Sequence, residues 1–196
     1  MIQRCPWCEN DEMYIKYHDE EWGVPVHDDK KHFEFLLLEG VQAGLSWLIV
    51  LKKRESYRKA FDDFDPIKIA NYGDNKINKL MENQNIIKNR NKIKASVNNA
   101  QRFLEVQDKF GSFDKYIWNF VDDKPIINSW IKISDLPAKT KLSENISKDL
   151  KKRGFKYVGP TIVYAHMQAI GIVNDHITSC FRYNQLINLC NNNATE

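Results

Sequence analysis

Four cysteines in 196 residues are too few for a disulfide scaffold at this size. No apolar run approaches the ~20 residues that a membrane-spanning helix requires. The opening stretch, MIQRCPWCENDEM, lacks the apolar core of a secretory signal. There is no internal repeat, no low-complexity spacer and no sustained alternation of apolar and polar residues, which argues against repeat arrays and extended sheets. Charge is also nearly balanced. Twenty-nine Lys and Arg against 26 Asp and Glu leave a net +3, so charge alone announces no nucleic-acid partner. The apolar content of 42% suffices for a core, and the expectation is one cytoplasmic, monomeric domain over 1–196 with no membrane partner.

What is present reads as helix. WLIVLKKRESYRKAF places Trp47, Val50, Leu51, Tyr57 and Phe61 near helical spacing, with Ser46 as N-cap. Asp65-Pro66 reads as N-cap followed by first helical residue. A long helix from about Asn89 to Lys109 carries Ile93, Val97, Ala100 and Leu104 on one stripe and stops at Gly111. Ser112 and Ser143 read as further caps. The fold class is all-α, in two lobes. The piece up to about Val26 is expected to return to the C-terminal end, for the reason given next.

Two constellations carry chemistry. His176 and Cys180 stand four residues apart, so a helix or helical turn puts both on one face, as half of a tetrahedral zinc site. The other half can come from Cys5 with His18 or from Cys5 with Cys8, and spacing alone leaves both open. Four protein ligands leave no place for water and imply a structural role. The second constellation is KKRGFKYVGPT, 151 to 161. Gly154 suits a left-handed helix end, Pro160 restarts a helix, and the turn between them exposes backbone N–H groups beside Lys151, Lys152, Arg153 and Lys156. Those are phosphate-binding features, although a plain helical hairpin with a solvated basic end has the same pattern. The other basic run, 92 to 102, reads as a solvated helix face.

Trp7, Tyr14, Tyr17, Trp22 and Trp47 gather in the first quarter of the chain, and Glu39 ends the apolar run FEFLLLEG. A charged side chain there is costly without a ligand. Flat rings with one carboxylate suit a flat, polarised or cationic group. Gly40 and Gly44 flank Gln42 and Ala43, with Glu39 and Leu45 just outside them, and are expected to turn the backbone out of the helix.

The stretches YIKYHDEEWGVPVHD, FEFLLLEGVQAGLSWLIVLKKRESYRKAF and LKKRGFKYVGPTIVYAHMQAIGIVNDH, the isoleucines of NIIKNRNKI, and Cys5 with Cys180 together resemble the DNA-3-methyladenine glycosylase I family. The resemblance runs from residue 5 to about 182. It implies a helix-hairpin-helix DNA glycosylase, with the hairpin motif at about 146–171 and the base pocket between two helical lobes. Its structural zinc would fall on Cys5, His18, His176 and Cys180, leaving Cys8 as an addition. Tyr17 and Trp47 would be stacking walls, an ionised Glu39 the base-reading and candidate catalytic group, and Trp7, Tyr14 and Trp22 further lining. Gln42, Gly44 and Leu45 would fill the gap in the duplex. Arg153, Gly154, Lys156, Gly159 and Thr161 would grip its backbone, with Pro160 standing where a threonine-like residue is expected. The implied partner is double-stranded DNA containing alkylated purines. The implied reaction is hydrolysis of the N-glycosidic bond of 3-methyladenine, leaving an abasic site in base excision repair; no lysine stands out for a Schiff base. A zinc-stabilised DNA-binding module and a zinc hydrolase are the competing readings.

Overall fold

The computed structural model describes residues 2–193; side chains from Cys190 onward lie outside the described residues. Ten α-helices run along this part of the chain: α1 (Glu12–Glu20), α2 (Asp29–Gln42), α3 (Trp47–Ala60), α4 (Pro66–Ala70), α5 (Asp74–Glu82), α6 (Arg90–Phe110), α7 (Phe113–Trp118), α8 (Lys141–Lys152), α9 (Pro160–Ala169) and α10 (Phe181–Asn193). One parallel two-residue pairing, β1 (Ile126–Ile127) with β2 (Val173–Asn174), is the extent of sheet among the described residues. None of these helices is long and apolar enough to cross a membrane.

Local chemistry sets most helix ends. The Asp65 carboxylate accepts from the N–H groups of Ile67 and Lys68, with Pro66 at the first helical position. Asn89 caps α6, which ends at left-handed Gly111, and Ser112 caps α7. Two caps differ from the sequence expectation. Thr140, not Ser143, opens α8; Ser143 is its reciprocal partner three residues on. Ser46 holds the N-cap position of α3 without a side-chain bond. The N–H of Leu48 is instead accepted by the Tyr14 hydroxyl at 2.9 Å, so α1 caps α3 from across the fold.

The α2 helix is the central element, with Phe33, Phe35, Leu36, Leu37, Leu38 and Val41 all buried. Gly40 does not break it; α2 continues to Gln42. The Gly40 position instead lies beside the hairpin, where an added Cβ would stand 3.6 Å from that of Tyr157. The chain leaves the helix at Gly44, at φ +79°. The α2 carbonyl end is capped by Lys92, whose buried ammonium donates to Val41 O at 2.7 Å and Ala43 O at 2.6 Å.

The expectation of a solvated face over 92–102 is therefore wrong in part. Besides Lys92, Asn99 holds the Lys156 backbone in both directions, at 2.8 and 2.9 Å, and Asn98 donates to Gly154 O at 2.9 Å. This face of α6 docks the hairpin, because a turn exposing its backbone needs polar partners.

The two ends of the chain meet. Gly23 N–H donates to Gln168 O, Val26 N–H to Ile170 O, and Phe181 N–H to Gln3 O. Gly171 makes this approach possible. Its φ is +73°, and a Cβ there would come within 2.4 Å of the Val24 and Pro25 backbone.

His166 of α9 is 3% exposed, and neither ring nitrogen has a partner. Burial, with His32 nearby, pushes its pKa down to about 3. A histidine that takes its proton only on unfolding leaves stability intact above pH 6.5. It costs about 1.4 kcal/mol for each pH unit below that, down to the folded value. His166→Phe is expected to flatten this acid limb and to add about 1–3 kcal/mol at pH 7 by removing two unsatisfied atoms. Urea unfolding from pH 7.5 to 4.5 measures both; an unchanged slope would refute the assignment.

Candidate base cavity and metal centre

A cavity of about 360 Å³ opens between the aromatic N-terminal segment, α2, α3 and α9, lined by Trp7, Tyr14, Tyr17, Trp22, Glu39, Gln42, Trp47, Ile133, Leu136, Ala165 and Gln168. Every substrate-binding residue anticipated from the sequence lies on it. The α9 and 133–136 walls were not foreseen, since only the fold brings them there. A larger cleft of about 590 Å³ lies against the same Tyr17. Its buried charges are matched: Arg54 binds Glu21 and Glu34, and Arg58 and Lys31 bind Glu34. The smaller cavity holds the unmatched group.

That group is Glu39, 2% exposed, with Oε2 lacking any partner. Burial alone pushes its carboxyl up to about 8, so at neutral pH it carries its proton. No cation or N–H among the described residues compensates this carboxyl for lost water, whereas the ionised Glu39 expected from the sequence is paired with a cationic base. Burial also raises the Tyr17 hydroxyl well above the usual tyrosine range, with Glu39 adding to the effect. Trp47 Nε1 is another sealed, unpartnered atom. Unpaired polar atoms around a cavity are what a hydrogen-bonding ligand would satisfy.

The Tyr17 and Trp47 rings are not a preformed sandwich. Their centroids lie 5.5 Å apart with planes at 53°. A flat base in contact with both faces needs about 7 Å between parallel rings, taking ~3.5 Å per contact. The pair must open and rotate to admit one. Trp7 and Trp22 form the rear of the cavity and pack edge-on at 5.1 Å.

Behind these tryptophans sits the second site. Cys5 Sγ, His18, His176 and Cys180 Sγ present ligand atoms all within 4.8 Å of one another, and all four residues are buried. Sulfur–nitrogen separations are 3.6 Å for Cys5–His176, 3.4 Å for Cys180–His176 and 3.4 Å for Cys180–His18. Tetrahedral zinc, with bonds of about 2.3 Å to sulfur and 2.0 Å to nitrogen, would space such donors about 3.6 Å apart. The outer ring nitrogens are both engaged: His18 Nδ1 with Asp19 at 2.7 Å and His176 Nε2 with Trp22 O at 3.0 Å. This turns His18 Nε2 and His176 Nδ1 inward as lone-pair donors. Arg4 in turn grips Asp19 at 2.8–3.0 Å. Hydrogen bonds from Cys5, His176 and His18 hold the Cys180 thiol well below the ordinary thiol value, and Cys5 is raised as it keeps the proton the two share.

Cys8 is excluded from this set; its Sγ points to Cys5 O at 3.1 Å, and burial pushes its thiol up to about 11. His176 and Cys180 meet through a turn closed by Cys180 N–H to Ile177 O, ahead of α10 rather than within a helix. Trp22 packs on His176 at 4.6 Å and Trp7 on His18 at 5.4 Å, so the cluster supports the cavity's rear wall directly.

Leu45 stands 37% exposed on the loop between Gly44 and α3. In the hairpin Gly154 is left-handed at φ +90°, while Gly159 is extended and serves as the N-cap of α9. Thr161 and Lys156 are exposed. The N–H groups of Gly159, Thr161 and Ile162 have no acceptor among the described residues. The Arg153 side chain is engaged within the fold. Its guanidinium is bound to Asp149 at 2.6 Å and lies over the Phe110 and Tyr116 rings.

The family model described as methyladenine glycosylase matches residues 7–183. The chain is 47% identical over 182 residues to a DNA-3-methyladenine glycosylase 1 of Escherichia coli strain K12, covering 93% of this chain and 97% of that one. Among solved structures, a 3-methyladenine DNA glycosylase I superposes with a TM-score of 0.89 at 50% identity, over 91% of this chain and 98% of that one. A tyrosine-to-phenylalanine variant of a 3-methyladenine DNA glycosylase I, in complex with 3-methyladenine, gives 0.88 at 39% identity, over 91% and 96%. With the cavity, the Cys/His cluster and the match extending over most of its length, the chain belongs to the methyladenine glycosylase family.

Proposed function

We propose that this protein excises 3-methyladenine from alkylated double-stranded DNA by hydrolysing its N-glycosidic bond. The observation that carries this reading is a buried, unpartnered carboxyl at the end of an aromatic cavity, in a chain of this family. The target nucleotide is extruded from the duplex at a cost of a few kcal/mol. Leu45 fills the space it vacates, and the base enters between Tyr17 and Trp47. A base methylated at N3 is cationic while still attached to its sugar, and ring faces favour such a cation by about 0.5–2 kcal/mol.

A protonated Glu39 has one O–H donor and one C=O acceptor. The outer edge of adenine offers the complement, N7 as acceptor and the exocyclic amine as donor. In the reaction the bond from sugar carbon to base nitrogen breaks, and its electron pair passes to the base and neutralises the cation. Water adds to the sugar carbon and loses a proton. A hydrogen bond from Glu39 to N7 stabilises the accumulating electron density.

The α8–α9 turn acts as a helix-hairpin-helix phosphate grip. The free N–H groups of Gly159, Thr161 and Ile162 lie at the start of α9, with Lys151, Lys152 and Lys156 as the nearby cations. Pro160 supplies no N–H to it. Zinc on Cys5, His18, His176 and Cys180 has a structural role, supported by the donor spacing and the engaged outer nitrogens.

Incubation with methylated duplex DNA, followed by chromatography of the released bases, tests the proposal. Free 3-methyladenine is expected, with strands that break only on later alkali treatment. Duplex binding without base release would favour the non-catalytic DNA-binding module instead.

A further inference from the structure

Asp175, between β2 and α10, is 1% exposed. Its Oδ1 accepts from Asn128 Nδ2 and Trp130 Nε1, both at 2.7 Å. Its Oδ2 accepts from the Tyr164 hydroxyl at 2.6 Å and Gln168 Nε2 at 2.8 Å. Such a carboxylate faces four donors and acts only as an acceptor. The orientation of the Gln168 amide is thereby fixed: its NH₂ must face Asp175, since its carbonyl would be repelled there.

Gln168 lines the base cavity on the α9 wall, three residues from Ala165, which lines it too. With its NH₂ held at the rear, its carbonyl is the polar atom left to the cavity. That Oε1 has no donor among the described residues, and it is not one of the sealed, unpartnered atoms. It is an open acceptor, held in place by the buried carboxylate behind it. Nothing in the aromatic lining requires a glutamine, and a leucine would fill the same wall without ordering the Asp175 network.

We infer that Gln168 reads the base, its carbonyl accepting a hydrogen bond from the exocyclic amine, and that Asp175 is the positioning residue that keeps the carbonyl turned inward. The chemistry of the substrate narrows the choice. In an adenine methylated at N3 and joined to sugar at N9, the amine supplies the only N–H groups. A fixed acceptor can be satisfied only by it, and the amine's second hydrogen remains for Glu39. The two acceptors stand on different helices, α9 and α2, so the amine is gripped from two sides. The inference rests on the assignment of this cavity to the base.

The test is a cycle between side chain and ligand, read by quenching of the intrinsic tryptophan fluorescence. Two free bases are compared: 3-methyladenine and 3-methylpurine, which lacks the amine. Gln168→Met, of similar length and without polar side-chain N or O, is expected to weaken 3-methyladenine binding five- to tenfold, the worth of one hydrogen bond between neutral groups. Affinity for 3-methylpurine is expected to stay the same, which also shows that the variant is folded. Asp175→Asn should give a loss of the same kind, confined to the amine-bearing base. Equal losses for both bases in Gln168→Met, or no loss for 3-methyladenine, would overturn the inference. If the unaltered protein binds neither base, the cavity assignment itself fails and Gln168 is not the cause.

Discussion

Glu39→Ala is expected to lower the rate of 3-methyladenine release by two to three orders of magnitude, the usual cost of removing one preorganised hydrogen-bonding group from a transition state. Glu39→Gln is expected to remain far closer to the parent, because an amide keeps one donor and one acceptor in the same place. This ordering separates a neutral acid from the ionised carboxylate that the sequence suggested; an anion-dependent site would lose as much with glutamine as with alanine. The two states also differ in pH dependence. The carboxyl titrates at about 8, so the parent should lose activity as pH rises through that value, and Glu39→Gln should not.

Stability follows the same linkage. An acid whose folded pKa lies above its ordinary value costs nothing below pH 4.5. It becomes destabilising as pH rises, by about 1.4 kcal/mol per unit up to the folded value, or roughly 3 kcal/mol at pH 7. Glu39→Gln removes that cost and is expected to unfold at higher denaturant concentration at pH 7 but not at pH 4.5. Single-turnover rates from pH 6 to 9 and urea midpoints at those two pH values measure both effects. Equal loss in the two variants, or an alkaline limb that persists in Glu39→Gln, would rule out the neutral form.

The helix ends were legible because they are written in adjacent residues. Asp65-Pro66, Gly111, Ser112, Gly154 and Pro160 each act within one turn of where they stand. Errors arose where the partner is distant in sequence. Gly40 resembles a helix breaker until Tyr157 of the hairpin is packed against it. Lys92 and Asn99 resemble a wet surface until the α2 carbonyls and the hairpin backbone appear beside them. The Phe110 and Tyr116 rings under Arg153 likewise come from other elements and appear only with the fold. The raised pKa of Glu39 could not be read at all. It depends on what is missing around the carboxyl, and a sequence does not display an absent partner. For Gln168 a faint signal existed, since it follows Ala165 at helical spacing, but the cavity it faces is built from four other parts of the chain.

The metal centre should dominate stability as Glu39 dominates activity. One zinc per chain is expected by elemental analysis. The four candidate ligands lie at positions 5, 18, 176 and 180, so one ion there would join the two ends of the chain. Closing a loop of that length costs the unfolded chain several kcal/mol, and the folded protein presents the ligands already gathered, with both histidines oriented by Asp19 and the Trp22 carbonyl. Structural zinc sites contribute on the order of 10 kcal/mol, comparable with the whole stability of a domain. Cys180→Ser or His176→Ala is therefore expected to abolish stoichiometric zinc and lower the melting temperature by more than ten degrees, and a strong chelator should do the same to the parent. Base affinity should fall with it, because Trp22 and Trp7 rest on His176 and His18. Cys8→Ser serves as the control. That thiol hydrogen-bonds the Cys5 carbonyl and is not among the four gathered ligands, so one zinc per chain and the parental base affinity should survive its removal. Loss of zinc in Cys8→Ser, or full retention in Cys180→Ser, would mean that the ion is held by a different set of atoms.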